Sequence, residues 1–407
     1  MGRTGHELAH DSGFNNFDYR VAGDVRDPYP ELAEARINTP VLAADQMAVD
    51  QNAPGSFVVF RHEDVARVLR DSEVFSSTIL GDVMGEVMGH KIILAMDEPE
   101  HRRHRSLVST AFRQSSLARW EERLVTNVVD DLIDKFVDEG KAELVIDFTF
   151  PFPTQVVAGV LGLPREDYLD FQRWAVAIIT ANAEWERGLK ASSELKDYLA
   201  NILDQRRTEP RDDLISDLAV ASLDGEQLDD ESIFSFLRLM LPAGVETTFR
   251  SSGNLLYLLL THPDQLVAVR DDRSLMPQAI EEALRLEPPL LITTRVATKD
   301  IEMHGVHIPK GSSVTPMLGA ANHDPDQYPD PDRFDIFRDP KQHMSFGTGP
   351  HMCIGMHLAR METRVAVNRL LDRLPNLRFD PEAFERDDPH IHGQIFRSPT
   401  SLPVIWG

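Results

Sequence analysis

The chain has 407 residues, 42% of them hydrophobic and 27% charged, with 66 acidic against 42 basic side chains and a formal net charge of −24. This is the balance of an ordinary soluble globular protein, and it argues against binding nucleic acid or an anionic membrane surface. A single cysteine excludes an intrachain disulfide and a cysteine-ligated iron–sulfur cluster, and it agrees with a reducing compartment.

The opening residues Met1–Glu7 carry no apolar signal region, and His6 breaks the myristoylation pattern. The apolar run Leu255–Leu260 is far too short to span a bilayer. A cytoplasmic protein with no membrane anchor is expected. No Gly/Ser linker, low-complexity run or internal repeat divides the chain, so 1–407 is read as one large domain.

Ser56–Phe60 reads as a short strand and His62 onward as an amphipathic helix. Val83, Met84, Val87 and Met88 fall in a glycine-punctuated stretch between Gly81 and Gly89, expected to be a mobile loop. Asp97–Arg105 opens a helix with acids in its first turn, and His101 and Arg105 share a face at i, i+4. Taken alone, that face is a solvated charged surface. Residues 115–140 and 165–207 carry Leu, Val and Ala at helical spacing.

The longest helical pattern runs from a cap at Asp229 to a stop at His262–Pro263, about 30 residues or roughly 45 Å. A helix so apolar belongs in the core. Met240, Ala243, Gly244 and Thr247 share one face, and the small residues leave room against it. Pro242 removes an N–H and crowds the carbonyl of Arg238, so the helix is expected to kink or open there, beside Glu246 and Thr247. By themselves the small residues read equally as close helix packing, and Thr247 as a hydroxyl bonded back to its own helix.

Glu282 and Arg285 stand at i, i+3 on a helix expected between Pro277 and Pro288. Leu290–Thr294 precedes Arg295, and residues 295–317 alternate as a small sheet with a turn at Pro309–Gly311. The fold class is therefore mainly α with a minor β-sheet region.

The most specific signal is Phe346-Gly347-Thr348-Gly349-Pro350-His351-Met352-Cys353-Ile354-Gly355, followed by a helical pattern from Met356. The glycines let a flat ligand approach the backbone. Cys353 stands before a helix N-terminus, which favours a thiolate and a lowered pKa.

The spacing of Phe346, Gly349, Cys353 and Gly355 closely resembles the cysteine-ligand loop of the cytochrome P-450 superfamily. Ala243–Thr248 resembles its oxygen-activation segment, and the other motifs follow in family order. The resemblance implies the P-450 fold around a buried haem b (iron protoporphyrin IX), with Cys353 as iron ligand. It implies that Thr247 donates a hydrogen bond to bound dioxygen and that Glu246 helps deliver protons. Ala243, Gly244, Phe346 and Gly349 would lie against the haem. His101, Arg105, Arg295 and His351 would hold its carboxylates. Glu282, Arg285 and Arg333 would form a structural cluster on the cysteine side. Leu290, Leu291, Ile292, Thr293, Met84 and Met88 would line an apolar substrate pocket.

The implied activity is that of a bacterial-type monooxygenase inserting one oxygen atom from O₂ into an apolar small molecule, by hydroxylation or epoxidation. No flavin, nicotinamide or iron–sulfur domain is recognisable, so electrons are expected from a ferredoxin and ferredoxin reductase. The stretch Arg338–Arg364 holds Arg338, Lys341, Arg360 and Arg364 against Asp339 and Glu362, and a basic docking surface is expected there. Three rivals remain. A peroxide-driven enzyme of the same fold has no need of Glu246 and Thr247. A haem-binding sensor has no need of Thr247. A cysteine hydrolase lacks its nucleophile elbow here.

Overall fold

A computed structural model of the chain describes residues 23–44, 53–181, 184–223 and 225–407. The Met1–Glu7 segment lies outside the described residues. Nine helices matter for the site: α1 (His62–Arg70), α2 (Ile79–Met88), α3 (Glu100–Ser109), α4 (Tyr168–Ile179), α5 (Trp185–Thr208), α6 (Asp230–Met240), α7 (Thr247–Thr261), α8 (Met276–Leu286) and α9 (Met356–Arg373).

In α1, Glu63 and Asp64 occupy the first turn and Arg67 and Arg70 the last, so both ends suit the helix dipole. The Asp229 carboxylate caps α6 by accepting the Ser232 N–H at 2.8 Å. Between α6 and α7, Leu241–Glu246 winds as a π-helix. The missing N–H of Pro242 is the physical cause: the ladder widens where a donor is absent and resumes at Thr247. Together α6, the π turn and α7 make the long core helix expected from the sequence. It stops at His262, and Pro263 starts the next helix, Pro263–Asp271.

Among the described residues the largest sheet has five strands, β1 (Val41–Ala43), β2 (Ser56–Val59), β3 (Phe75–Ser76), β4 (Arg295–Ala297) and β5 (Ser313–Pro316), in the order β1-β2-β5-β4-β3. β2 and β5 run parallel with Ser56 opposite Ser313; the other pairs are antiparallel. Every residue of β2 is buried, because each face meets a core. Phe57 and Val59 pack with Val65 and Leu69 of α1, while Val58 packs with Phe60, Leu291 and Met317. A separate hairpin pairs Ile301–Met303 with Val306–Ile308.

The architecture is mainly α with small sheets around one large helical core that takes in the long central helix and α9. Two details differ from the sequence reading. Residues 79–88 form α2, not a loop: Val87 and Met88 anchor in the main core, which outweighs the cost of Gly81 and Gly85 inside a helix. The 165–207 pattern divides into α4 and α5. No helix among the described residues is long and apolar enough to cross a membrane.

Candidate functional site

Cys353 sits between a turn and Gly355, the residue before α9. Its N–H donates to the Phe346 carbonyl at 2.9 Å, and the Met352 N–H donates to the Gly349 carbonyl at 3.1 Å. Gly349 has φ +75, and a Cβ there would lie 2.6 Å from the Leu69 oxygen and 2.9 Å from Arg70 Cα. The loop therefore rests on the last turn of α1 at a distance only glycine allows. By surface area Cys353 is exposed, yet protein atoms crowd it closely enough that burial pushes its thiol up. A side chain both accessible and crowded opens onto a recess inside the fold. The Gly355 N–H, Arg105 and Arg360 pull the thiol the other way without prevailing. Desolvation thus outweighs the helix end that led the sequence reading to expect a lowered value. A metal ion at the sulfur would deprotonate it outright.

Four residues from three separate stretches of the sequence gather at this loop. His101 is buried, and its ring lies 3.9 Å from that of His351 at 33°. Arg105, one turn further along α3, donates to the Met352 carbonyl at 2.5 Å. Arg295 on β4 is 4% exposed and donates to the Thr294 carbonyl at 2.7 Å. Among the described residues no carboxylate lies within ion-pair distance of it, and burial lowers it to about 10. Burial, then His101, Arg295 and Arg105, hold His351 down at about 3. The buried Nε2 of His101 has no hydrogen-bond partner among the described residues. The buried Arg295, the half-buried Arg105 and an unpartnered buried ring nitrogen make a cradle for carboxylates. Beside an accessible thiol, this donor set fits the two carboxylates and the iron of a haem.

On the central helix, Ala243 is exposed and Gly244 and Thr247 are half-buried, although Leu241, Val245 and Glu246 beside them are buried. This accessible strip is the face expected from the sequence. The Thr247 hydroxyl donates to the Ala243 carbonyl at 2.7 Å. Glu246 is 1% exposed and pairs with Arg250, whose Nε reaches Oε1 at 2.8 Å. Arg250 in turn donates to Ser398 Oγ at 2.7 Å and lies over the rings of Phe249 and Phe396. The sequence reading missed Arg250 and Ser398; the i, i+4 spacing of Glu246 and Arg250 was the available signal.

Glu282 and Arg285 pair in two parallel bonds of 2.8 Å within α8. Arg333 is not their third side chain. Its guanidinium turns outward to Asp335, and only its carbonyl meets Arg285, at 3.3 Å. Arg338 takes the place instead, its Nε 3.2 Å from Glu282 Oε1. The expected basic surface also changes character. Arg338 pairs with Glu282, Arg360 with Glu281 and Arg364 with Glu121, and Lys341 donates to the Gln327 carbonyl. Acids remote in sequence neutralise charges that are clustered locally.

The pocket residues separate into two groups. Leu291 is 1% exposed and packs with Val58, Phe60 and Met317, and Ile292 lies against the same cluster, so both serve the sheet-side core. Leu290 is half-buried and bridges to Phe396, Thr293 accepts from Arg295 at 3.4 Å, and Met84 and Met88 pack on the main core from α2.

A family model described as Cytochrome P450 matches residues 160–394. Cytochrome P450 107B1 of Saccharopolyspora erythraea is 39% identical over 377 residues, covering 89% of this chain and 90% of that protein. The vitamin D(3) 25-hydroxylase of Pseudonocardia autotrophica is 35% identical, covering 86% and 87%. The crystal structure of CYP109E1 from Bacillus megaterium with testosterone superposes with a TM-score of 0.84 at 29% identity, covering 94% of this chain and 99% of that one.

Proposed function

The chain belongs to the cytochrome P450 family and is a P450 monooxygenase, and we propose that it inserts one oxygen atom from O₂ into an apolar small molecule. The cofactor is haem b, with Cys353 as its iron ligand and His101, Arg105, Arg295 and His351 on its carboxylates. When bound, it supplies oxygen activation, which a thiolate ligand favours by pushing electron density toward the iron. The carrying observation is the buried Arg295, with no carboxylate within ion-pair distance among the described residues, beside the half-buried Arg105 and next to an accessible cysteine.

The chain's own residues do the rest. The accessible strip at Ala243 and Gly244 leaves room for a flat group beside the central helix, while Gly349 seats the sulfur loop against the last turn of α1. Thr247 holds a hydroxyl proton at the accessible strip, and Glu246, at the next position, supplies a carboxylate for moving protons inward. Arg250 pairs with that carboxylate and orients it. Electrons come from a separate ferredoxin and its reductase, in the cytoplasm, and 1–407 acts as one catalytic domain. The substrate is apolar and ring- or chain-built, which agrees with Leu290 and Met84 and with the steroid bound in CYP109E1 and the vitamin D(3) acted on by the Pseudonocardia enzyme.

One spectroscopic series on the haem-loaded protein tests this reading. The reduced carbon monoxide complex should show the strongly red-shifted band of thiolate-bound haem, and Cys353→Ser should abolish it. Testosterone or vitamin D₃ should displace water from the iron and shift its spin state, while glucose and glutamate should not. A Cys353→Ser variant with the parent band, or a shift only with the polar compounds, refutes the corresponding part.

A further inference from the structure

We propose that the Glu281–Arg360 ion pair is a charge couple that sets the electron affinity of the thiolate centre, Arg360 raising it and Glu281 opposing it. This rests on the reading of Cys353 as iron ligand. Arg360 lies on α9, seven residues after Cys353. Its guanidinium sits 4.4 Å above the ring of Phe346, and the Phe346 carbonyl accepts the Cys353 N–H at 2.9 Å. One aromatic ring thus separates a fixed positive charge from the segment that carries the sulfur.

The cation is held in place from the other side. Glu281 on α8 accepts from Arg360 Nε at 2.6 Å and from a terminal nitrogen at 2.7 Å. His343, itself buried, stands 3.3 Å from the second Glu281 oxygen, with its ring 5.7 Å from that of Phe346. Burial pushes the Glu281 carboxyl up, but the hydrogen bonds from Arg360 and the nearby His343 outweigh it and hold it at about 2. Both members stay charged at any working pH, so the couple is a constant bias.

The sign follows from electrostatics. Reduction adds an electron to the centre, so a nearby cation favours the reduced form and a nearby anion disfavours it. Arg360 faces the sulfur loop across Phe346, and Glu281 grips the guanidinium from α8. Solvent weakens both effects: the side chains are 31% and 35% exposed and border a cleft of about 300 Å³. Each charge is therefore expected to change the reduction equilibrium by roughly threefold.

The test is a spectroelectrochemical titration of the haem-loaded protein and three variants at fixed pH, with the reduced carbon monoxide spectrum recorded for each. Arg360→Leu should make the centre harder to reduce, and Glu281→Gln should make it easier. Arg360→Lys should stay near the parent. Removing either half of a purely structural salt bridge would loosen the same loop and shift both variants the same way. Shifts of one sign, or none, with the thiolate spectrum intact overturn the proposal. If Arg360→Leu fails to fold, the rise in Glu281→Gln decides alone, and its absence overturns the proposal. A parent without the thiolate spectrum refutes the Cys353 reading itself, and this inference with it.

Discussion

Thr247 and Glu246 are neighbours in sequence, yet different partners hold them. The hydroxyl bonds back to Ala243 on the accessible strip, and the carboxylate is locked to Arg250 in the interior. If Thr247 presents a proton to bound oxygen, Thr247→Ala should keep haem and ligand spectra but divert most reducing equivalents to hydrogen peroxide, lowering coupling by tenfold or more, about the contribution of one positioned proton donor. Measuring peroxide against oxygen consumed checks this; unchanged coupling would place proton delivery elsewhere. Glu362 on α9 poses a different question. It is 2% exposed, and burial alone pushes its carboxyl up to about 8. The unfolded chain releases that proton near 4.5. The folded state therefore holds the extra proton between these values. The contribution to stability is full below about pH 4.5 and lost as pH rises toward about 8, by up to about 1.4 kcal/mol per pH unit. Glu362→Gln should flatten that slope in urea melts at pH 5 and pH 8, and equal slopes in both proteins would show that Glu362 does not titrate in this window.

At the scale of elements, α2 is fastened at its C-terminal end. The Ser192 hydroxyl of α5 donates to the Val87 carbonyl, and Arg238 of α6 donates to Ser192 at 3.2 Å and to Glu231 at 3.2 Å. Gly89, with φ +98, lets this cluster come close: a Cβ would lie 2.3 Å from an Arg238 nitrogen and from Ser235 Oγ. Gly89→Ala should destabilise the protein by about 1–3 kcal/mol through backbone strain and displacement of Arg238. Denaturant melts of the variant check this, and a change under 0.5 kcal/mol, about the scale of a neutral surface substitution, would mean that the turn relaxes freely. The π turn at Leu241–Glu246 shows how one residue shapes an element. Pro242 withholds a donor and widens a single turn, and the residues on either side of it remain helical. That local opening was legible because proline acts through its own backbone. The helix over 79–88 was not, because its glycines argue for a loop and only its contacts with the core reverse the preference.

Across the whole molecule, what the sequence determined is what depends on neighbours along the chain. The length and apolarity of the central helix, its cap at Asp229, the turn carrying Cys353, and the facing pair His101 and Arg105 all follow from short-range spacing and helix geometry. The mainly helical class follows from the same periodicities. Tertiary structure decided what depends on distance through space. It brought Arg295 beside Arg105, His101 and His351, gave Glu282 the side chain of Arg338 instead of Arg333, and turned Leu291 into the sheet core. It paired Arg360 and Arg364 with Glu281 and Glu121, so that a basic stretch of sequence is not a basic surface. It also let desolvation outweigh the helix end at Cys353. The reason is common to all of these: backbone preferences act over a few residues, whereas burial and Coulomb interactions act between any groups the fold makes neighbours.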